Sequence, residues 1–294
     1  MPEVQHSGEL DARLQPAWDL TTSWPAKQFG VAVLHDYDVA TFGDTQHIFH
    51  LASVTKLLTA WTVHIACEEG SVHLGDNVGQ AGCTVEHLLA HAGGYSFDGD
   101  QPIATPGSRR IYSNTGYELL AQHLERQTGI DFATYMHEAI CEPLGMSSTT
   151  LRHSAKEDGS TQKDGSAAKD GWSNIDDLIS FVSELRRPRL ISRDTYIRAV
   201  TPAFPDLAGI VPGFGKSDPS LWGLGPEIKG LKEPHWTAPH GATSTFGHFG
   251  SAGTFVWVDP VANVAVALLS NTPFDDWGPE FWAPFNQRVL DCFS

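Results

Sequence analysis

The sequence predicts an α+β protein: an antiparallel sheet flanked by helices, built from both chain ends, with a mostly helical domain inserted between them. Three observations carry this expectation. Apolar, β-branched runs bounded by turn residues lie near the start, FGVAVLH (Phe29–His35) and VATFGD (39–44). Similar runs lie near the end, SAGTFVWVDP (251–260) and NVAVALLSN (263–271). Between them, from about residue 51 to 202, helical spacing dominates. The expected division gives residues 1–58 and 186–294 to the sheet domain and 59–185 to the insert. An active site is expected in the cleft between the two. No internal repeat is visible.

Each element follows from local signals. Residues 7–20 read as a short helix. The runs 29–35 and 39–44 form a hairpin around Asp36. In LASVTKLLTAWTVHIACEEG, Leu57, Leu58, Trp61 and Ile65 share a helical face and Gly70 stops it, so a helix begins near Ser53. TVEHLLAH (84–91) is a short helix stopped by Gly93-Gly94. NTGYELLAQHLERQTG (114–129) starts on Asn and stops on Gly. Residues 131–141 read as helix ending before Pro143, which cannot donate to the preceding turn. The stretch 153–171 is polar and Gly-rich, a surface loop. NIDDLISFVSELRR (174–187) is a capped helix and 192–202 another. LWGLGPEIKG and TSTFGHF are further strand candidates. Residues 259–263 turn between the last two strands, and 279–293 form a closing helix.

Composition narrows the function. The chain has 294 residues, 41% hydrophobic and 18% charged, too apolar for disorder. It carries 35 acidic residues against 19 basic, a formal charge of −16, which argues against nucleic-acid or anionic-membrane binding. No run approaches the roughly 20 apolar residues that span a bilayer. The first residues show neither a basic nor an apolar leader region, and the four cysteines show no CxxC spacing. A cytoplasmic protein with free thiols is expected, with no metal or organic cofactor.

Three short elements carry chemistry. Ser53-Val54-Thr55-Lys56 places a hydroxyl and an amine three residues apart at a helix start, on one face. A serine hydroxyl needs a nearby base, and a lysine serves when burial lowers its pKa. The same letters also describe a capping serine followed by an exposed lysine. Tyr112-Ser113-Asn114 precedes a helix; a phenol shuttles protons and an amide binds amides, although Asn114 also suits a simple N-cap. His248-Phe249-Gly250-Ser251 ends a strand in small residues that admit close backbone approach. Its amide and that of Ser53 would suit an oxyanion.

In this order the three elements resemble the serine β-lactamase and penicillin-binding-protein superfamily, in its class C-like branch with related esterases and D-amino-acid peptidases. TVEHLLAHAGGY (84–95), PGSRRIYSNTGYELLAQHLERQTG (106–129), EPLGM (142–146) and GHFGSAGTFVWVDP (247–260) extend the likeness over residues 25 to 272. The resemblance implies a class C β-lactamase-like fold and a serine hydrolase working through an acyl-enzyme on a small ester, amide or peptide. Ser53 would be the nucleophile, Lys56 would hold or take its proton, and Tyr112 would be general base. Asn114 would contact Lys56 and the substrate amide. The N–H groups of Ser53 and Ser251 would form the oxyanion hole beside Gly250. His248 stands where lactamases carry the lysine of Lys-Thr-Gly, which weakens the case for β-lactam turnover. The alternatives are a true β-lactamase and a non-catalytic ligand-binding member of the fold.

Other features are weaker. Gly213-Phe214-Gly215-Lys216-Ser217 lacks the spacing of a phosphate loop. His87 and His91, four apart, lack a HExxH context and read as structural. Trp222, Trp236 and Trp277 lie in loop-rich text and are candidates for pocket walls as well as for core.

Overall fold

A computed structural model describes residues 4–152 and 165–293. Much of the polar stretch expected as a surface loop, 153–164, lies outside the described residues. Its far end departs from that expectation: Ala167 and Ala168 are buried.

The chain ends meet in one seven-stranded sheet. Its spatial order is Gln5–His6, Asp38–Gly43, Phe29–His35, Val264–Ser270, Thr254–Asp259, Phe246–Gly250 and Glu227–Ile228. All neighbours are antiparallel except the short first strand, which pairs parallel with Asp38–Gly43. The central strands are apolar without alternation because both sheet faces are covered. Alternate residues therefore feed two cores. Ala32, Leu34, Val256, Val258, Ala265 and Ala267 face one; Val31, Val33, Phe255, Trp257, Val266 and Leu268 face the other. The first core continues into the helices through Leu57, Leu120, Phe132 and Phe181. The second is aromatic, with Trp18, Trp24, Trp277 and Trp282 from the chain ends.

The helix Thr55–Glu68 is buried from Thr55 to Ala66 on every side, the mark of a central rather than a surface helix. Helices Asn114–Thr128 and Phe132–Met136 pack beside it, and Ile175–Arg186 lies across the strands Val264–Ser270 and Phe29–His35. Thr84, Asn174 and Ser192 cap their helices through side-chain oxygens. The N-terminal helix is broken into Gly8–Arg13, Gln15–Trp18 and a 3₁₀ turn Asp19–Ser23, with Pro16 entering the second piece near its start. The helix from Phe132 does not stop before Pro143. It widens into a π turn at His137–Cys141 and resumes at Glu142–Leu144, where the proline sits in a first turn that needs no N–H from it. The strand expected across LWGLGPEIKG shrinks to Glu227–Ile228. Among the described residues, no helix is long and apolar enough to cross a membrane.

Candidate active site

Ser53 sits in a tightly determined turn. It lies in a 3₁₀ turn, Ala52–Val54, immediately before the central helix. Ala52 takes φ 46°, a left-handed conformation that is unusual for alanine and persists only where neighbours impose it. Four hydrogen bonds do so. Leu51 N–H donates to Gly171 O at 2.8 Å, and the Thr254 hydroxyl donates to Leu51 O at 2.8 Å. The Thr55 hydroxyl donates to Ala52 O at 2.6 Å and accepts from Gly171 N–H at 2.9 Å. The strand Phe246–Gly250 ends against this turn. A Cβ on Gly250 would lie 2.5 Å from Leu51 O and 3.0 Å from Ala52 Cβ, so only glycine lets the two backbones meet. Ser251 follows at the strand end, and its carbonyl accepts from Phe274 N–H at 2.9 Å.

Lys56 lies one helical turn below Ser53, completely buried. Its Nζ is 3.3 Å from Ser53 Oγ, 2.7 Å from Asn114 Oδ1 and 2.9 Å from Ala168 O. Burial lowers its pKa to about 7, against the raising influence of Glu118 and Asp98. The alternative of a capping serine followed by an exposed lysine is excluded by this burial.

Asn114 is free to meet the lysine because it is not the cap of its own helix. Ser113 is: its hydroxyl oxygen accepts from Gly116 N–H at 3.1 Å. Asn114 then spans two groups, accepting from Lys56 through Oδ1 and donating from Nδ2 to Asp98 Oδ1 at 3.1 Å.

Tyr112 places its ring 4.8 Å from Lys56 Nζ, and its hydroxyl lies near enough to Ser53 to feel it. Burial raises the phenol pKa and outweighs the Ser53 contact, which lowers it; Glu227 adds to the rise. Four rings pack on the tyrosine: His91 at 4.5 Å, His248 at 5.7 Å, Trp222 at 5.8 Å and the half-exposed Phe97 at 5.9 Å between centroids.

His248 pairs with Val256 in the sheet and faces the helical core, while its neighbour Phe249 faces the aromatic one. Its Nδ1 lies 2.8 Å from Phe249 O, and a carbonyl only accepts, so Nδ1 carries the hydrogen. Burial and the nearby Lys56 lower its pKa to about 3. The ring is therefore neutral, and its Nε2 accepts from the Tyr112 hydroxyl at 3.4 Å.

Ser53, Lys56, Tyr112, Asn114, His248 and Gly250 thus converge from three separate stretches of chain. Three contributors, Ala168, Asp98 and His91, were not read from the sequence as part of the site. Ala168 acts through a backbone carbonyl, which no side-chain pattern reveals. Asp98 arrives on a loop. His91 stands outside the short helix Val85–Leu89, at φ 54°, and accepts from Ser113 N–H at 3.2 Å. The loop residue Trp222 packs on His248 and Tyr112, whereas Trp236 and Trp277 belong to the aromatic core. His87 turns away, bonding Thr84 and stacking on Phe204. Lys216 and Ser217 lie on the second strand of a small hairpin, Gly209–Val211 with Gly215–Ser217, and no helix follows to receive a phosphate.

Comparison with known proteins places the fold and the family. A Mycobacterium bovis protein whose structure is described as a β-lactamase is 42% identical, with a TM-score of 0.89 over 94% of this chain and 99% of that one. EstCE1, described as a hydrolase with promiscuous acyltransferase activity, shares the fold at 16% identity and a TM-score of 0.73 over 97% and 98% of the two chains. An Escherichia coli (strain K12) protein with the provisional name D-alanyl-D-alanine carboxypeptidase is 24% identical over 84% of this chain and 74% of its own length. The profile of the Beta-lactamase family matches residues 27–289, so nearly the whole chain, site included, belongs to that family.

Proposed function

We propose that the protein is a serine hydrolase that forms an acyl-enzyme at Ser53 with an ester, amide or peptide of modest size. One observation carries the reading: Ser53 Oγ lies 3.3 Å from a buried amine whose other two partners are carbonyl oxygens. A neutral lysine has two N–H groups and one lone pair. The N–H groups suit Asn114 Oδ1 and Ala168 O, leaving the lone pair for the Ser53 proton. Near neutral pH an amine with a pKa of about 7 is substantially in that state. The phenol of Tyr112, with its raised pKa, keeps its proton. Lys56 is therefore assigned as the resting base and Tyr112 as the shuttle.

In acylation the Ser53 proton passes to Lys56 Nζ as Oγ attacks the carbonyl carbon. The N–H groups of Ser53 and Ser251 receive the oxyanion. As the bond to the leaving group breaks, Tyr112 gives it a proton and recovers one from Lys56, which returns to the neutral amine. Water then attacks the acyl-enzyme along the reverse route, its proton taken by Tyr112 and Lys56 and returned to Ser53. Substrate is proposed to enter between segment 59–185 and the sheet-forming segments 1–58 and 186–294. The family membership and the hydrolase EstCE1 support this reading.

An activated acetate ester is expected to add one acetyl group to the wild type and none to Ser53→Ala, read by intact-protein mass spectrometry. Equal labelling of the two would falsify the assignment. The description of the M. bovis neighbour favours a second reading, a β-lactamase. Nitrocefin turnover comparable with ester turnover would establish it.

A further inference from the structure

The reactive centre is unusual in its charge. His248 is uncharged, with both ring nitrogens engaged by Phe249 O and the Tyr112 hydroxyl. The cations on the elements around the site face inward. Lys56 contacts Ser53, Asn114 and Ala168. The buried Arg110 guanidinium donates to the carbonyls of Ser220, Ala203 and Phe204, at 2.8 to 3.0 Å, and to Ala90 O. Lys232 is buried against Glu227 at 3.2 Å. None of these presents a cation to a substrate.

Carboxylates are presented instead. The exposed Asp98 holds one end of Asn114, the residue whose other end holds Lys56. A cavity of about 760 Å³ opens beside Asn114 and Asp98 and, among the described residues, is also bordered by Asp100, Glu118, Glu125, Asp131 and Asp170, against one lysine, Lys169. A formal charge of −16 adds a field of the same sign.

We propose, resting on the hydrolase reading above, that Asp98 is a specificity-determining residue. It restricts the site to acyl donors without a carboxylate near the scissile bond and favours those bearing a cation there. An anionic donor meets Asp98 as a like charge, among carboxylates that outnumber the one ammonium of Lys169 on the described cavity wall. It also has to draw Asn114 Nδ2 away from Asp98. A neutral donor meets only the second obstacle, and a cationic donor gains a partner in Asp98.

The test uses three phenyl acetates differing at the meta position: carboxylate, carboxamide and trimethylammonium. Each kcat/KM is normalised to hydroxide-catalysed hydrolysis. The carboxylate ester is expected at least about tenfold below the carboxamide, and the trimethylammonium ester at or above it. Raising the salt to about 0.5 M shrinks the deficit several-fold, because screening shortens the reach of an exposed charge. Asp98→Asn shrinks it by a similar factor, read as the ratio of the two esters in the same variant, and circular dichroism reports whether the variant is folded. Salt acts on the wild type, so the inference stays exposed even if the variant fails to fold. A carboxylate ester within about twofold of the carboxamide overturns it, as does a deficit that neither salt nor Asp98→Asn changes. If the carboxamide ester acetylates wild type and Ser53→Ala alike, the nucleophile assignment falls first and takes this inference with it. If Ser53 is acetylated without charge preference, the role of Asp98 alone is wrong.

Discussion

Lys56 and Lys232 are both buried, about 58 residues from Asn114 and five from Glu227 respectively, and the contrast lies in what each one touches. Lys232 is 3.2 Å from the Glu227 carboxylate and also donates to Leu221 O at 2.8 Å and to Ile228 O. Glu227 is held further by Trp236 Nε1–H at 2.8 Å and faces His235 at 3.4 Å. Burial alone would raise the Glu227 pKa, but Lys232 and His235 outweigh it and hold the carboxyl below its usual range. Lys56 touches a hydroxyl, an amide and a carbonyl, and Glu118 and Asp98 act on it without taking its proton in an ion pair. Burial with a counter-charge makes an ion pair. Burial with neutral acceptors makes an amine that gives up its proton near neutrality. Both clusters act electrostatically on His248, one arranged for chemistry and the other for structure.

The contrast is broken most severely at the structural end. Glu227→Gln leaves the Lys232 ammonium buried without its counter-charge. Removing one partner of a buried pair costs about 3–5 kcal/mol. For a chain of this size that corresponds to a fall in melting temperature of roughly 6–12 °C. A thermal melt followed by circular dichroism measures it. A change under about 2 °C would show that the pair contributes no more than an exposed one.

The second prediction makes Lys56 resemble Lys232. Asn114→Asp sets a carboxylate where Oδ1 now lies 2.7 Å from Nζ. An opposite charge at that range favours the ammonium and raises the lysine pKa by about 1–3 units. For the wild type, the rate of Ser53 acylation rises with pH as Lys56 loses its proton and levels off above about 7. In the variant this limb moves to higher pH, and acylation at pH 7 falls about 5- to 500-fold. Activity partly returns at higher pH. A variant equally slow at every pH would assign the loss to geometry instead.

These two lysines also mark how far the sequence could be read. The sheet was legible because strands covered on both faces must be apolar throughout, as in Phe29–His35 and Val264–Ser270. The helix starts at Thr84, Asn174 and Ser192 were legible because capping is a local signal. Asn114 was misplaced by one position for the same reason: serine and asparagine cap almost equally well, and only the fold decides that Ser113 caps. Ser53 and Lys56 were legible from their spacing. The burial of Lys56 was not, because it depends on Ala168, more than a hundred residues away. Glu227 stands in the strand candidate LWGLGPEIKG, and no local signal pairs it with Lys232. Their pairing, like that of Asp98 with Asn114, is a contact that loop paths create and local pattern does not encode.

The mildest change sharpens the contrast from the other side. Glu118 lies on the helix Asn114–Thr128, accepts from the Ser166 hydroxyl, and is the largest influence keeping the Lys56 pKa from falling further. It makes no hydrogen bond to Nζ itself. Glu118→Gln keeps an acceptor for Ser166 and removes the negative charge. The ammonium loses a stabilising field while the neutral amine is unaffected, so the pKa moves down from about 7. The acidic limb of acylation therefore shifts to lower pH, by an amount below about one unit for a charge outside direct contact. At pH 6 the variant acylates up to several-fold faster than wild type, whereas at pH 8, where both amines are already neutral, the rates coincide. Single-turnover acylation of Ser53 by an activated acetate ester across pH 5 to 9 resolves the shift. Asn114→Asp and Glu118→Gln act on one amine with opposite sign, so a limb belonging to Lys56 moves up in the first and down in the second. A limb that moves the same way in both, or in neither, belongs to another group, and Lys56 is then not the resting base.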